Sequence, residues 1–115
     1  MTIDWNNISI FIKPGPTDMR KQTQSLALYV ADEVHKDPLS GNLYVFCGRN
    51  RKTIKVLYWD RNGFCLWQKR LEEDTFPWPR NEKEVRKISR KELGMILDGI
   101  DFWRAHKKLN FSAVS

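Results

Sequence analysis

The sequence predicts a single α+β domain, and three observations carry that expectation. Three strand-like runs, "NLYVFCG", "TIKVLYW" and "FCLWQKRLE", fill about residues 42–72 with short polar connections between them. Connections this short join neighbouring antiparallel strands, so a three-stranded meander is expected. Apolar residues recur at helical spacing before and after it, over about 18–34 and about 90–98. Finally, 115 residues with 41% hydrophobic content are enough for one compact core and hardly for two.

Taken in order, "ISIFIK" at 8–13 alternates β-branched and other side chains and stops at Pro14-Gly15-Pro16, which predicts a short strand and a turn. From Thr17 or Asp18, either able to cap free amides, the pattern predicts a helix to about Val34. Met19, Leu26, Tyr29, Val30 and Val34 fall largely on one face of it. Its Arg20 and Lys21 would lie in the first turn against the helix dipole, which makes them candidate anion contacts, with Asp18 able to offset them. "KDPLSG" closes this unit.

After the meander, the prolines of "EDTFPWPRNE" exclude a regular helix or central strand, and Phe76 and Trp78 are expected to pin the segment to the body. Ser89 and Glu92 then form a capping box ahead of Leu93, Ile96, Leu97 and Ile100, which predicts the second helix. The basic, aromatic tail is expected to fray from about residue 105.

The hairpin "VLYWDRNGFCLWQKR" admits two registers. Asn62-Gly63 suits a two-residue turn, whereas Asp60 and Gly63 equally suit a type I turn with a glycine bulge. A one-residue slip exchanges the faces of a whole strand. The two-residue turn gives the more consistent faces: Val45, Cys47, Ile54, Val56, Tyr58, Cys65, Trp67 and Leu71 on one, with Lys69 the exception and with Tyr58 and Trp67 expected in the core. Tyr44, Phe46, Lys55, Leu57, Trp59, Phe64, Leu66, Gln68 and Arg70 lie on the other, which is aromatic but also basic. Either way the sheet has more apolar surface than one buried face needs, and the chain's own helices are the expected cover.

Charge points to an anionic partner. The net formal charge is +6, and residues 49–70 hold seven basic side chains against Asp60 alone, a local net of +6. Arg49, Arg51, Lys52, Lys55, Arg61 and Arg70, with Trp59 as a stacking group, form a candidate nucleic-acid surface, since bases stack on indole while Arg and Lys follow phosphates. The start carries no basic leader before a long apolar run, and no stretch approaches the roughly 18–20 apolar residues of a membrane span, so a cytoplasmic protein without membrane partners is expected.

Catalytic signatures are missing. No phosphate loop, nucleophile elbow or dinucleotide fingerprint occurs, and His35 and His106 have no metal-site spacing with the cysteines, so neither cofactor nor metal is expected. Cys47 and Cys65 fall on the outer strands of the meander, roughly 9–10 Å apart across the middle strand, too far for a disulfide. Asp60, Asp98 and Asp101 read as turn and helix-end residues rather than nuclease carboxylates.

The segments "TDMRKQTQSLA", "DPLSGNLYVFCGRNRKTIKVLYWDRNGFCLWQKRLE", "FPWP" and "LDGIDFWR" resemble the TnpB-type accessory protein of bacterial insertion sequences of family sixty-six, over nearly the whole chain. This family shares only a name with the RNA-guided nucleases also called TnpB. The resemblance implies a non-enzymatic protein working beside a separate transposase that holds the acidic catalytic residues, with no catalytic residue of its own to transfer. Accessory DNA binding at the element ends is the expected function. The alternative is a protein adaptor that contacts the transposase, or another accessory protein, through surplus apolar surface.

Overall fold

In the computed structural model, which describes residues 5–80 and 85–99, five strands form one sheet in the order β4-β3-β2-β1-β5. The expected meander is there: β2 (Leu43–Cys47), β3 (Thr53–Asp60) and β4 (Gly63–Arg70), each antiparallel to the next. The first strand, β1 (Ile10–Ile12), pairs parallel with β2, a connection that needs a crossover. Helix α1 (Thr23–Tyr29) lies within that crossover. A fifth strand, β5 (Arg86–Ile88), adds antiparallel to β1 inside what the sequence shows only as a basic run.

The two faces of the sheet are buried separately. One packs Ile12, Val45, Ile54 and Val56 against Phe76, Trp78 and the α2 residues Leu93 and Ile96. The other packs Tyr44, Phe46 and Leu57 against Leu26, Ala27 and Val30. The two helices, together with the segment of Phe76 and Trp78, therefore cover most of the surplus apolar surface. Helix α2 (Arg90–Leu97) begins where the capping box predicts: the Ser89 hydroxyl accepts from the Glu92 amide at 3.0 Å, and the Glu92 carboxylate accepts from the Ser89 amide at 2.9 Å. The predicted fraying from residue 105 lies outside the described residues.

Two sequence expectations need correction. The first helix starts at Thr23 rather than near Asp18, so Arg20 and Lys21 do not lie in its first turn. The Asp18 carboxylate accepts the Arg20 amide at 2.9 Å, a local turn that competes with helix formation. At its other end α1 widens into a π-helical segment, Val30–Val34, closed by left-handed His35 at φ 58°.

The hairpin between β3 and β4 also differs. Its two loop residues are Arg61 and Asn62, with Asp60 opposite Gly63, so the turn sits one residue earlier than Asn62-Gly63 would place it. This is a shift of two in pairing, which preserves every side chain's face. It sets Trp59 directly opposite Phe64, with the rings edge to face at 5.0 Å. Trp67 consequently opposes Val56 rather than Tyr58, and it is 43% exposed rather than core, because β4 is an edge strand that α2 leaves uncovered there.

Candidate nucleic-acid interface

Three segments meet at one end of the sheet. The turn from β2 to β3 is set by the Gly48 amide donating to Thr53 and the Arg51 amide to Gly48, while the Asn50 side chain accepts from the Lys52 amide. Arg51 completes the turn in the left-handed region at φ 59°, a place usually given to Gly or Asn. The loop after β1 is tied to this turn by the Thr17 amide, which donates to the Cys47 carbonyl at 2.8 Å. Gly48 permits the approach, because a Cβ there would meet Met19 Cγ at 2.8 Å.

The third segment is the strap around "FPWP". Phe76 and Trp78 are buried as the sequence predicts, and the Trp78 indole donates to the carbonyls of Lys13 and Gly15 at 3.0 and 3.1 Å. The Phe76 amide donates to Arg51, and the Gly15 amide to Pro79. Between the three segments lie two adjoining hollows of about 560 and 410 Å³ that share Pro16, Arg49 and Asn50. Arg51 and Arg80 line the second, while Thr17, Asp18 and Met19 line the first. Among the described residues, no carboxylate pairs with Arg49, Arg51 or Arg80.

The sequence-predicted surface is divided by this geometry. Arg49 and Arg51 stand at the cleft, and Arg70, opposite Thr53, flanks the same end. Lys52 is there too, but its ammonium donates to the carbonyls of Glu73 and Asp74 at 3.1 and 3.4 Å. Trp59 and Arg61 lie at the far end of β3, about 25 Å away for a strand of this length. Arg61 there is also left-handed, at φ 53°, with the Asn62 amide donating back to Asp60 across it in a γ-turn.

Lys55 does not reach the surface at all, contrary to its place in the expected set. It is 2% exposed, and its ammonium donates to the carbonyls of Met19 and Lys21 at 2.8 Å each. Burial pushes its pKa down, with the nearby Asp18 charge opposing that shift. Arg20 is engaged as well: its guanidinium grips the Asp18 carboxylate at 2.8 Å, and that hydrogen bonding holds the Asp18 carboxyl at about 2. Lys21 lies 5.7 Å from the centre of the Tyr29 ring. Of the candidate anion contacts, Arg20 is thus paired with Asp18, while Lys21 has a ring contact and no carboxylate partner among the described residues.

Two contributors, Thr17 and Arg80, went unrecognised in the sequence. Thr17 reads there as a helix cap, and Arg80 as one charge in a mixed run. Their only local signal is proximity to the prolines that end β1 and build the strap. Cys47 and Cys65 form no disulfide; Cys47 is buried and Cys65 partly so. No helix among the described residues is long and apolar enough to cross a membrane.

Comparison with known proteins agrees with the resemblance of the central block. Residues 8–107 match the family described as IS66 Orf2 like protein. An uncharacterized protein, y4hO, of Sinorhizobium fredii (strain NBRC 101917 / NGR234) is 44% identical over 98 residues, covering 85% of this chain and 84% of that protein. A second from the same strain, the uncharacterized protein y4jC, is 27% identical over 101 residues, covering 88% and 86%. No solved structure matches. With a match of this extent and a relative of this identity, the chain belongs to the IS66 Orf2-like family of insertion-sequence accessory proteins.

Proposed function

We propose that this protein is a non-catalytic accessory factor of transposition that binds DNA, and that it does so through the end of the sheet bearing Arg49, Arg51, Arg70 and Arg80. The observation that carries this reading is three arginines around one cleft with no carboxylate partner among the described residues. Guanidinium groups left without internal partners are available to phosphate oxygens, which they hold by paired, charge-assisted hydrogen bonds. Element ends are the expected DNA, and the transposase of the same element is the expected protein partner. Lys55 has no part in this surface, since its charge is held inside.

The test is an anisotropy titration with element-end duplex at several salt concentrations. Affinity should fall steeply with salt, and replacing Arg49 and Arg51 together by Ala should weaken binding and flatten the logarithmic slope by about 2. An unchanged affinity and slope in that double variant would exclude this surface.

A second reading, a protein adaptor, is favoured by one observation on the opposite face. Exposed Trp67 borders an apolar hollow of about 190 Å³ that Trp5, Tyr58, Leu93 and Leu97 help to line. An exposed indole beside an apolar recess suits a protein contact. Here Trp67→Ser should abolish co-purification with the transposase after nuclease treatment, whereas the arginine substitutions should not.

A further inference from the structure

We propose that β4 is the seam of a twofold dimer, in which two copies of this chain join their β4 edges antiparallel with Trp67 facing its own copy at the centre. The seam lies outside the cleft of Arg49, Arg51 and Arg80, so the dimer does not depend on the DNA-binding reading. It gives Trp67 a second copy of the chain as its partner rather than the transposase.

The order β4-β3-β2-β1-β5 leaves two edges. The β5 edge is three residues long and is guarded by Arg86 and Lys87, since charges on a short strand deter further pairing. The β4 edge is unlike it: eight residues in unbroken register with β3, without proline, and with Lys69 and Arg70 as its only charges, both at one end. The Leu71 amide donates to the Lys52 carbonyl at 2.7 Å, which fixes the phase of that ladder. Because antiparallel pairs alternate, the amides and carbonyls of Phe64, Leu66, Gln68 and Arg70 then point away from β3. None of them has a hydrogen-bond partner among the described residues. A row of free donors and acceptors this long is a template for another strand.

Self-fit and charge identify that strand as a second β4. With Trp67 opposite its copy, Leu66 opposes Gln68, Cys65 opposes Lys69 and Phe64 opposes Arg70. All four outward-facing residues are then paired, and no cation opposes a cation. A parallel seam, or one centred on Lys69, would bring the basic ends of the two strands together. Continued past the strand ends, the same register carries the Arg61 hairpin of each copy towards Glu72 and Glu73 of the other. These three side chains are exposed and form no ion pair among the described residues. Exposed pairs contribute little energy, but they favour this register over others.

Trp67 supplies the apolar centre. It is 43% exposed and borders the hollow of about 190 Å³ lined by Tyr58, Leu93 and Leu97. Opposite its copy it occupies a non-hydrogen-bonded pair, where facing side chains lie closest, so the two indoles cover each other beside their hollows. The twofold fuses both five-stranded sheets into one and sets the two arginine clefts at its opposite ends.

Sedimentation equilibrium of the full-length protein without DNA supplies the test. The parent should approach twice the chain mass as concentration rises. Gln68→Pro removes only an outward amide, which an edge strand tolerates, and should raise the dissociation constant at least tenfold while circular dichroism keeps the parent's spectrum. Trp67→Ser should do the same through the side chains. Lys69→Cys tests the register: with oxidised glutathione it should form a covalent dimer through the native Cys65 of the other copy, within disulfide reach across such a pair. Gln68→Cys, on the opposite face, should not.

A parent that remains monomeric would overturn the dimer, including the case in which Trp67 is covered only when the transposase is added. A dimer that is unaffected by Gln68→Pro, or not captured by Lys69→Cys, would overturn β4 as its seam. Since no DNA is present, these outcomes are independent of whether the arginine cleft binds duplex.

Discussion

The ammonium of Lys55, on the middle of the sheet, donates to the backbone carbonyl of Met19 at 2.8 Å, and to that of Lys21 at the same distance. In a helix starting at Asp18, these carbonyls would instead accept the amides four residues on, at Thr23 and Ser25. The lysine thus supports the loop that forms the cleft wall and sets where α1 begins. Lys55→Met should lower stability by about 2 kcal/mol, since two carbonyls lose charge-assisted bonds while a buried charge is removed. Urea denaturation measures this, and the variant should bind DNA more weakly although no surface charge has changed.

Gly48 has a steric role at the same place. An added methyl would approach Met19 Cγ to 2.8 Å, in the middle of a side chain packed against the turn. Gly48→Ala should therefore cost about 1–2 kcal/mol and move the Thr17–Met19 wall away from the turn. Calorimetry should show the lower melting temperature, and amide spectra should shift at Thr17 and Asp18 but not at the Arg61 hairpin.

Arg61 holds φ at 53° in a two-residue turn. A left-handed non-glycine residue costs roughly 1 kcal/mol, partly offset here because glycine has more entropy to lose on folding. Arg61→Gly should accordingly stabilise the fold by about 0.5 kcal/mol. Because Arg61 lies about 25 Å from the cleft along β3, the same variant should leave binding at the arginine cleft unchanged.

Alkaline pH should expose the burial of Cys47. Burial pushes its thiol up to about 12, against the opposing pull of the Arg51 charge and the Gly48 amide, from an ordinary value of 9.0. Since the folded value is the higher one, this contribution to stability is complete below pH 9 and is lost as pH rises from about 9 towards about 12. The loss should approach roughly 1.4 kcal/mol per pH unit within that window. Denaturation of the parent and Cys47→Val between pH 8 and 11 should diverge by that slope; parallel curves would contradict it.

Local patterns were legible wherever the deciding forces were local. The Ser89–Glu92 box, the three runs of the meander and the pinning of Phe76 and Trp78 all follow from neighbouring residues, through capping, alternation and the proline constraint on backbone. The distribution of faces in the hairpin was legible too, because alternation has a period of two and a shift of two residues leaves it unchanged.

The candidate site was legible only in part. Arg49 and Arg51 stand out by composition, but charge in a sequence carries no direction, so Lys55 and Arg61 read as their equals. Likewise β5 is a three-residue strand whose stability comes from pairing with β1, too short to announce itself. Trp67 looked like core because alternation says which face a side chain takes and not whether that face is covered.

Composition and alternation thus settle the meander, the second helix, the faces of the meander's side chains and the excess of basic charge in this chain. Which charges remain free is settled by contacts between residues distant in sequence: Lys55 reaches Met19 across 36 positions, and the strap ties Trp78 to Lys13 across 65. A buried ammonium must find acceptors wherever the fold brings them, because desolvation without partners is prohibitive. Those tertiary hydrogen bonds turn one basic stretch into a structural lysine, a remote hairpin arginine and an arginine-lined cleft.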